Sequence, residues 1–127
     1  MRSGNKRLKS FRNLLVWKKS HKLSLRVAKL VRTFPRDEKY DLVGQMRRAA
    51  RSIPSDISEG FGRFHFNDKL TFYERARASL GELHNHFEEA LGNAYIDERV
   101  FQSFSKEMTE VNYLLNRMIK NLRKARD

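Results

Sequence analysis

The stretch Tyr40–Arg63, YDLVGQMRRAARSIPSDISEGFGR, constrains the fold more than any other part of the chain. Leu42, Met46, Ala49, Ile53 and Ile57 succeed one another at steps of four, three, four and four, which sets them on one stripe of an α-helix. Val43 and Ala50 widen the stripe, and Arg47, Arg48 and Arg51 interrupt it on the flank. Pro54 opposes the pattern. In a helix interior it costs roughly 3 kcal/mol, because it lacks an N–H and crowds the carbonyl four residues back. The apolar stripe nevertheless continues to Ile57. The spacing therefore predicts a single helix that bends at Pro54 and resumes, with Gly60 and Gly62 forming its exit.

A helix with one apolar stripe must bury it against others, and the rest of the chain supplies them. Helix one is expected from about Leu14 to Arg32, with Val16, Leu23, Val27, Leu30 and Val31 inward and Trp17 and Ala28 beside them. Lys18, Lys22, Arg26 and Lys29 form a stripe on its opposite face, with Lys19 and Arg32 at the edges. Phe34-Pro35 closes this helix, since a residue before proline avoids the helical region. Helix two is expected to start by Asp37, where Asp37, Glu38 and Asp41 suit its positive end. Asn67 is placed to cap helix three, whose stripe is Leu70, Tyr73, Ala76, Leu80, Leu83, Phe87 and Leu91 and which Gly92-Asn93 ends. Asp97 caps helix four, with Ile96 and Phe101 spaced for a hydrophobic staple. Its seam, Phe101, Phe104, Met108, Val111, Leu115, Met118, Leu122 and Ala125, alternates steps of three and four like a heptad repeat. Four helices joined by short loops predict an all-α fold, an up-down-up-down antiparallel four-helix bundle. Residues 1–12 read as a basic flexible tail and residues 13–127 as one domain.

The chain contains no Cys, which excludes disulfides and thiol chemistry and makes the cytoplasm the expected compartment. No apolar run is long enough to span a bilayer, so no membrane partner is expected. The formal charge is +12, and its distribution is uneven: residues 1–36 hold twelve Lys or Arg and no acid, whereas residues 37–127 hold fifteen bases and fifteen acids. A second acid-free group, Arg117, Lys120, Arg123, Lys124 and Arg126, closes the chain before Asp127. Such asymmetry points to a polyanionic partner.

Catalytic and metal chemistry find no pattern to stand on. Glu-x-x-His pairs, H-E-x-x-H, a phosphate-binding G-x-x-x-x-G-K and a nucleophile elbow are all missing from the sequence. His84 and His86 are two residues apart, so on a helix they diverge, His84 to the rim of the core and His86 to solvent. Glu59, at a helix end between Arg48 and Arg63, is read as an ion-pairing or capping residue and not as a general base. Phe64 and Phe66 alternate with Arg63 and His65, a pattern that can stack bases but is read here as a plug for the end of the bundle. No cofactor, no metal and no enzyme activity are expected.

These residues also carry a family resemblance. Val16-Trp17, Phe34-Pro35, Glu38, Gln45, Arg47 to Ala50, Ser52 to Pro54, Ile57, Glu59-Gly60 and Arg63 resemble the signature of bacterial four-helix-bundle proteins of the 23S rRNA intervening-sequence type. The similarity extends through Phe72, Ala76, Ser79, Glu82-Leu83 and Tyr95-Ile96, about residues 11–122, and departs at Asp56, where the family usually has Asn. The resemblance implies a homopentamer. A related bundle is the accessory protein of diversity-generating retroelements.

The functional expectation is a non-enzymatic, basic, oligomeric bundle that binds RNA or DNA through phosphate contacts. Lys18, Lys19, Lys22, Arg26 and Lys29 are its main candidates, joined by Arg47, Arg48, Arg51 and Arg63. For Arg47, Arg48 and Arg51, beside the small Ala49 and Ala50, a subunit contact and a phosphate-lined groove fit equally well. The alternative function is a scaffold for an acidic protein partner, such as a reverse transcriptase.

Overall fold

A computed structural model describes residues 10–126. Four helices account for most of them: α1 (Leu15–Leu30), α2 (Leu42–Gly62), α3 (Phe66–Gly92) and α4 (Glu98–Arg126). No strand occurs among the described residues. Each helix packs on its neighbours in sequence, and α1 also packs on α4, which closes the bundle around a shared core. Leu23 and Val27 of α1, Met46, Ile53 and Ile57 of α2, Leu83 and Phe87 of α3, and Leu115 of α4 are completely buried there. Side chains of this size each contribute about 1.5–3 kcal/mol on leaving water. Phe87 and Phe104 stack at the centre with ring centroids 4.9 Å apart.

The α2 stripe is buried as the spacing predicts, and the helix continues through Pro54 without interruption. Pro54 is itself buried, and that burial offsets part of the lost hydrogen bond. Ala49 and Ala50 belong to the core instead of flattening the surface beside the arginines. Gly60 has a different role from the helix exit expected of it. A Cβ there would stand 2.6 Å from Cε1 of Tyr73, so only glycine lets α2 approach α3 this closely. The end of α2 is held from outside, by Lys69 Nζ donating to the carbonyls of Gly60 (3.2 Å) and Phe61 (2.9 Å). Burial pushes the Lys69 ammonium below its ordinary range.

Other boundaries differ locally from expectation. The first helix tightens into a 3-10 turn at Val31–Thr33, and Phe34 is extended before Pro35 as the proline requires. Helix two begins at Leu42, not Asp37, because Arg36–Glu38 form a separate 3-10 turn and Asp41 (φ −122°, ψ −101°) breaks the backbone between them. Glu38 is thereby free to accept a 2.5 Å hydrogen bond from the Tyr95 hydroxyl, which raises the Tyr95 pKa to about 12. His65, not Asn67, precedes α3, and it caps nothing with its side chain. Asp97 caps α4 as expected, Oδ1 accepting from the Val100 N–H at 2.9 Å.

Two further differences have clear geometric causes. The turn after α3 places Ala94 in the left-handed region (φ 60°), where its N–H reaches Leu91 and the Tyr95 N–H reaches Ala90. That is a Schellman ending with alanine where glycine is usual. Along α4 the buried stripe passes from Leu115 to Ile119, leaving Met118 and Leu122 half-buried and Ala125 exposed. A straight helix drifts about 20° per heptad, so a strict seam of three and four leaves the core after a few turns.

The basic tail expected over residues 1–12 falls largely outside the described residues. Within them, Ser10 accepts from the Arg12 N–H and starts a 3-10 turn, Phe11–Asn13. Phe11 packs edge-on against Trp17 at 5.0 Å, so the folded unit includes Phe11, two residues before residue 13.

Candidate nucleic-acid interface

The basic residues of α1 divide into two groups that the sequence presents as one. Arg26 is pulled against α4: it pairs with Glu107, donates to Ser103 Oγ at 3.4 Å, and lies 4.1 Å from the centroid of Phe104. Lys19 pairs with Glu110 at 3.3 Å. Arg26 therefore does not face away from the protein with Lys18, Lys22 and Lys29. Those three are exposed, and none has a carboxylate within ion-pair reach among the described residues. The dividing signal lies far away in sequence, in Ser103, Glu107 and Glu110, which share one face of α4 at steps of four and three.

The candidates on α2 also separate. Arg47 and Arg51 line a groove between α1 and α2, whereas Arg48 is not part of its lining. Arg48 and Arg51 are exposed, as is Arg47, and no ion pair engages any of them among the described residues. Arg63 is neutralised by Glu59 at 2.9 Å, the pairing expected of Glu59, and lies over Phe72 at 4.9 Å. Asp56, at the position where the resemblance departs, is raised in pKa chiefly by burial, with Arg75 opposing and Glu59 adding to the rise.

The groove's aromatic wall escaped the reading of the sequence. Trp17 and His21 stack in parallel, with centroids 4.6 Å apart and an angle of 10° between planes. Their spacing of four residues on one helix was the available signal. Leu25 stands at the rim, 59% exposed.

Elsewhere the aromatic and histidine expectations need correction. Phe64 does not plug the bundle; it is 89% exposed. Phe66 is the packed ring, covered by the Arg126 guanidinium at 4.5 Å. His86 is buried at 6% exposure, its Nε2 3.3 Å from Glu82, and His84 is the exposed one, stacked beside Phe101. The two do diverge, but α3 is rotated so that His86 lies next to Phe87 on the inward side. At the far end of α4, Arg123 pairs with Glu74, while Arg117, Lys120 and Lys124 are exposed without ion pairs among the described residues. No helix among the described residues is long and apolar enough to cross a membrane.

Comparison with known proteins supplies the remaining context. Residues 12–117 match the family model described as 23S rRNA-intervening sequence protein. Among solved structures, a protein of unknown function from the S23 ribosomal protein family of Bacteroides thetaiotaomicron VPI-5482, determined at 1.70 Å, superposes with a TM-score of 0.78. It is 24% identical over 84% of this chain and 99% of its own, a likeness of fold. No curated protein matches the sequence.

Proposed function

The chain belongs to the 23S rRNA-intervening sequence protein family, and from that premise we propose that it is a non-enzymatic helical bundle that binds RNA or DNA through phosphate contacts. One observation carries this reading: Lys18, Lys22 and Lys29 are exposed on α1 with no carboxylate in ion-pair reach among the described residues, in a chain of net charge +12. Cations left unmatched in the folded protein are available to displace counterions from a phosphate backbone. Lys19, Arg26 and Arg63 drop out of the candidate set because intramolecular carboxylates hold them. Arg47, Arg48 and Arg51 stay in it.

The bundle runs up-down-up-down in this reading. Lys19 meets Glu110 while Arg26 meets Glu107, and Arg77 meets Asn116 while Glu74 meets Arg123, which supports antiparallel pairing of α4 with both α1 and α3. The assembly is a homopentamer. Exposed Leu15 and Tyr113, which the single-chain core leaves uncovered, support contact between copies. Five copies carry a formal charge of five times +12, or +60, so a bound polyanion also relieves repulsion within the assembly. Light scattering that returns the 15.1 kDa single chain at micromolar concentration removes the oligomer from this account.

The binding test is a salt series on duplex RNA and duplex DNA with nuclease-treated protein. The logarithm of affinity is expected to fall linearly with the logarithm of salt, at a slope of about −0.9 per phosphate neutralised on duplex DNA. A slope near zero, or no binding at low salt, overturns the proposal and leaves an acidic protein partner as the reading to pursue.

A further inference from the structure

We infer that the groove between α1 and α2 receives an unpaired base of a single-stranded nucleic acid together with its flanking phosphates. This rests on the nucleic-acid reading above and narrows it to one strand type and one place. The groove measures about 370 Å³. Pockets for small ligands span about 300–1,000 Å³, so the space suits one compact aromatic group.

The chemistry of the two walls differs. On the α1 side, Trp17 and His21 already form a parallel stack at 4.6 Å, with Phe11 edge-on behind Trp17. His21 is exposed and lines the groove, so its ring is accessible to a planar group there. On the α2 side, Arg47 and Arg51 stand one helical turn apart beside buried Pro54. No acidic residue lines the groove, and neither arginine has a carboxylate within reach among the described residues. Lys18 and Lys22 follow Trp17 and His21 by one residue each, about 100° further round the helix toward solvent. Cations therefore border an aromatic shelf on both banks.

This combination selects among polyanions. Aromatic rings stack bases without regard to sequence, while guanidinium groups bind phosphate oxygens in pairs. A duplex cannot use the shelf, because its bases already cover one another. An acidic peptide would match the arginines and leave the shelf unused.

Trp17 is the single tryptophan of the chain, so its emission reports directly on the groove. The experiment titrates the full-length protein with a short oligo-uridylate and with a duplex RNA of equal length, following Trp17 emission and the anisotropy of labelled nucleic acid. The single strand is expected to quench Trp17 saturably, while the duplex binds without quenching. His21→Ala, at an exposed position, is expected to weaken single-strand binding about tenfold and to leave duplex binding nearly unchanged, whereas the double variant Arg47→Gln/Arg51→Gln is expected to weaken single-strand binding about tenfold and duplex binding by less. Single-strand binding by anisotropy with unmoved emission, or with affinity unaffected by these variants, overturns the inference, because the strand then lies elsewhere. Tight duplex binding without single-strand binding overturns it too, and leaves the broader proposal standing. Failure of both nucleic acids to bind removes both readings. If the variants instead reduce the sedimentation coefficient of the protein alone, the groove is a contact between copies and the inference falls.

Discussion

The two sides of α1 carry similar residues and do different things. Toward α4, Arg26 and Lys19 are matched by Glu107 and Glu110, and Arg26 also covers the Phe104 ring. Toward solvent and α2, Lys18, Lys22 and Lys29, with Arg47 and Arg51 across the groove, have no acidic partners among the described residues. A count of bases along the sequence treats both sides alike. What separates structural from available charge is the identity of the facing helix, and α4 presents Glu107 and Glu110 to Arg26 and Lys19.

The largest effect that sharpens this contrast is on binding. Replacing Lys18, Lys22 and Lys29 together by Gln is expected to reduce the steepness of the salt dependence on duplex DNA by about 2.7, at about 0.9 per phosphate, with the thermal midpoint unchanged. An unchanged slope makes the outer stripe only a solvated face and erases the contrast. Next comes Arg26→Gln, which leaves the slope alone but destabilises the fold by about 1.5 kcal/mol, read by urea denaturation. Both the cation above Phe104 and the partner of Glu107 are lost, each worth up to about 1 kcal/mol where partly exposed. Stability unchanged, with a flatter slope, would move Arg26 to the binding group.

A pH series extends the comparison to a pinned contact away from α1. The Tyr95 hydroxyl donates to Glu38, and its pKa is raised from the ordinary value near 10 to about 12, first by that hydrogen bond. A raised folded-state pKa means that the contribution is fully present below about pH 10 and is lost as the pH climbs through about 12. The stability gap between the native protein and Tyr95→Phe is therefore expected to be constant up to about pH 10 and to close above it. A gap that persists at higher pH detaches the effect from the proton that the Tyr95 hydroxyl donates to Glu38. The smallest change is expected from Lys19→Gln. Its pair with Glu110 is about half-exposed on both sides, so stability should fall by no more than about 0.5 kcal/mol and the salt slope should not move.

Much of the fold is legible in the sequence because it depends on local periodicity. The α2 stripe, the Asp97 cap and the Phe34-Pro35 corner each follow from residues within a turn or two of one another. The misplacements follow from longer range. Whether Arg26 faces water depends on Glu107, eighty-one positions later. The inward turn of His86 reflects the rotation of α3 in the bundle, which two histidines two apart cannot set. Gly60 reads as a helix stop until Tyr73 is known to lie against it. Of the candidate site, the cations were visible as residue types and their partition was not. The Trp17–His21 stack was visible as a spacing, but its meaning waited on Arg47 and Arg51 arriving across the groove from another helix.

The close approach at Gly60 bears on the order in which the molecule comes apart. α2 and α3 share the most extensive contact of any helix pair and are joined by only Arg63, Phe64 and His65. Closing so short a connection costs little chain entropy, and Gly60 leaves room for the Tyr73 ring of α3 to lie directly on the α2 backbone. Lys69 then ties the start of α3 to the last carbonyls of α2. The α2–α3 hairpin is thus a cooperative unit in its own right, with α1 and α4 laid against it. Its amide protons, around Ile53, Ile57, Ala76 and Leu80, should be the last to exchange with solvent, surviving openings that release α1 or α4 alone.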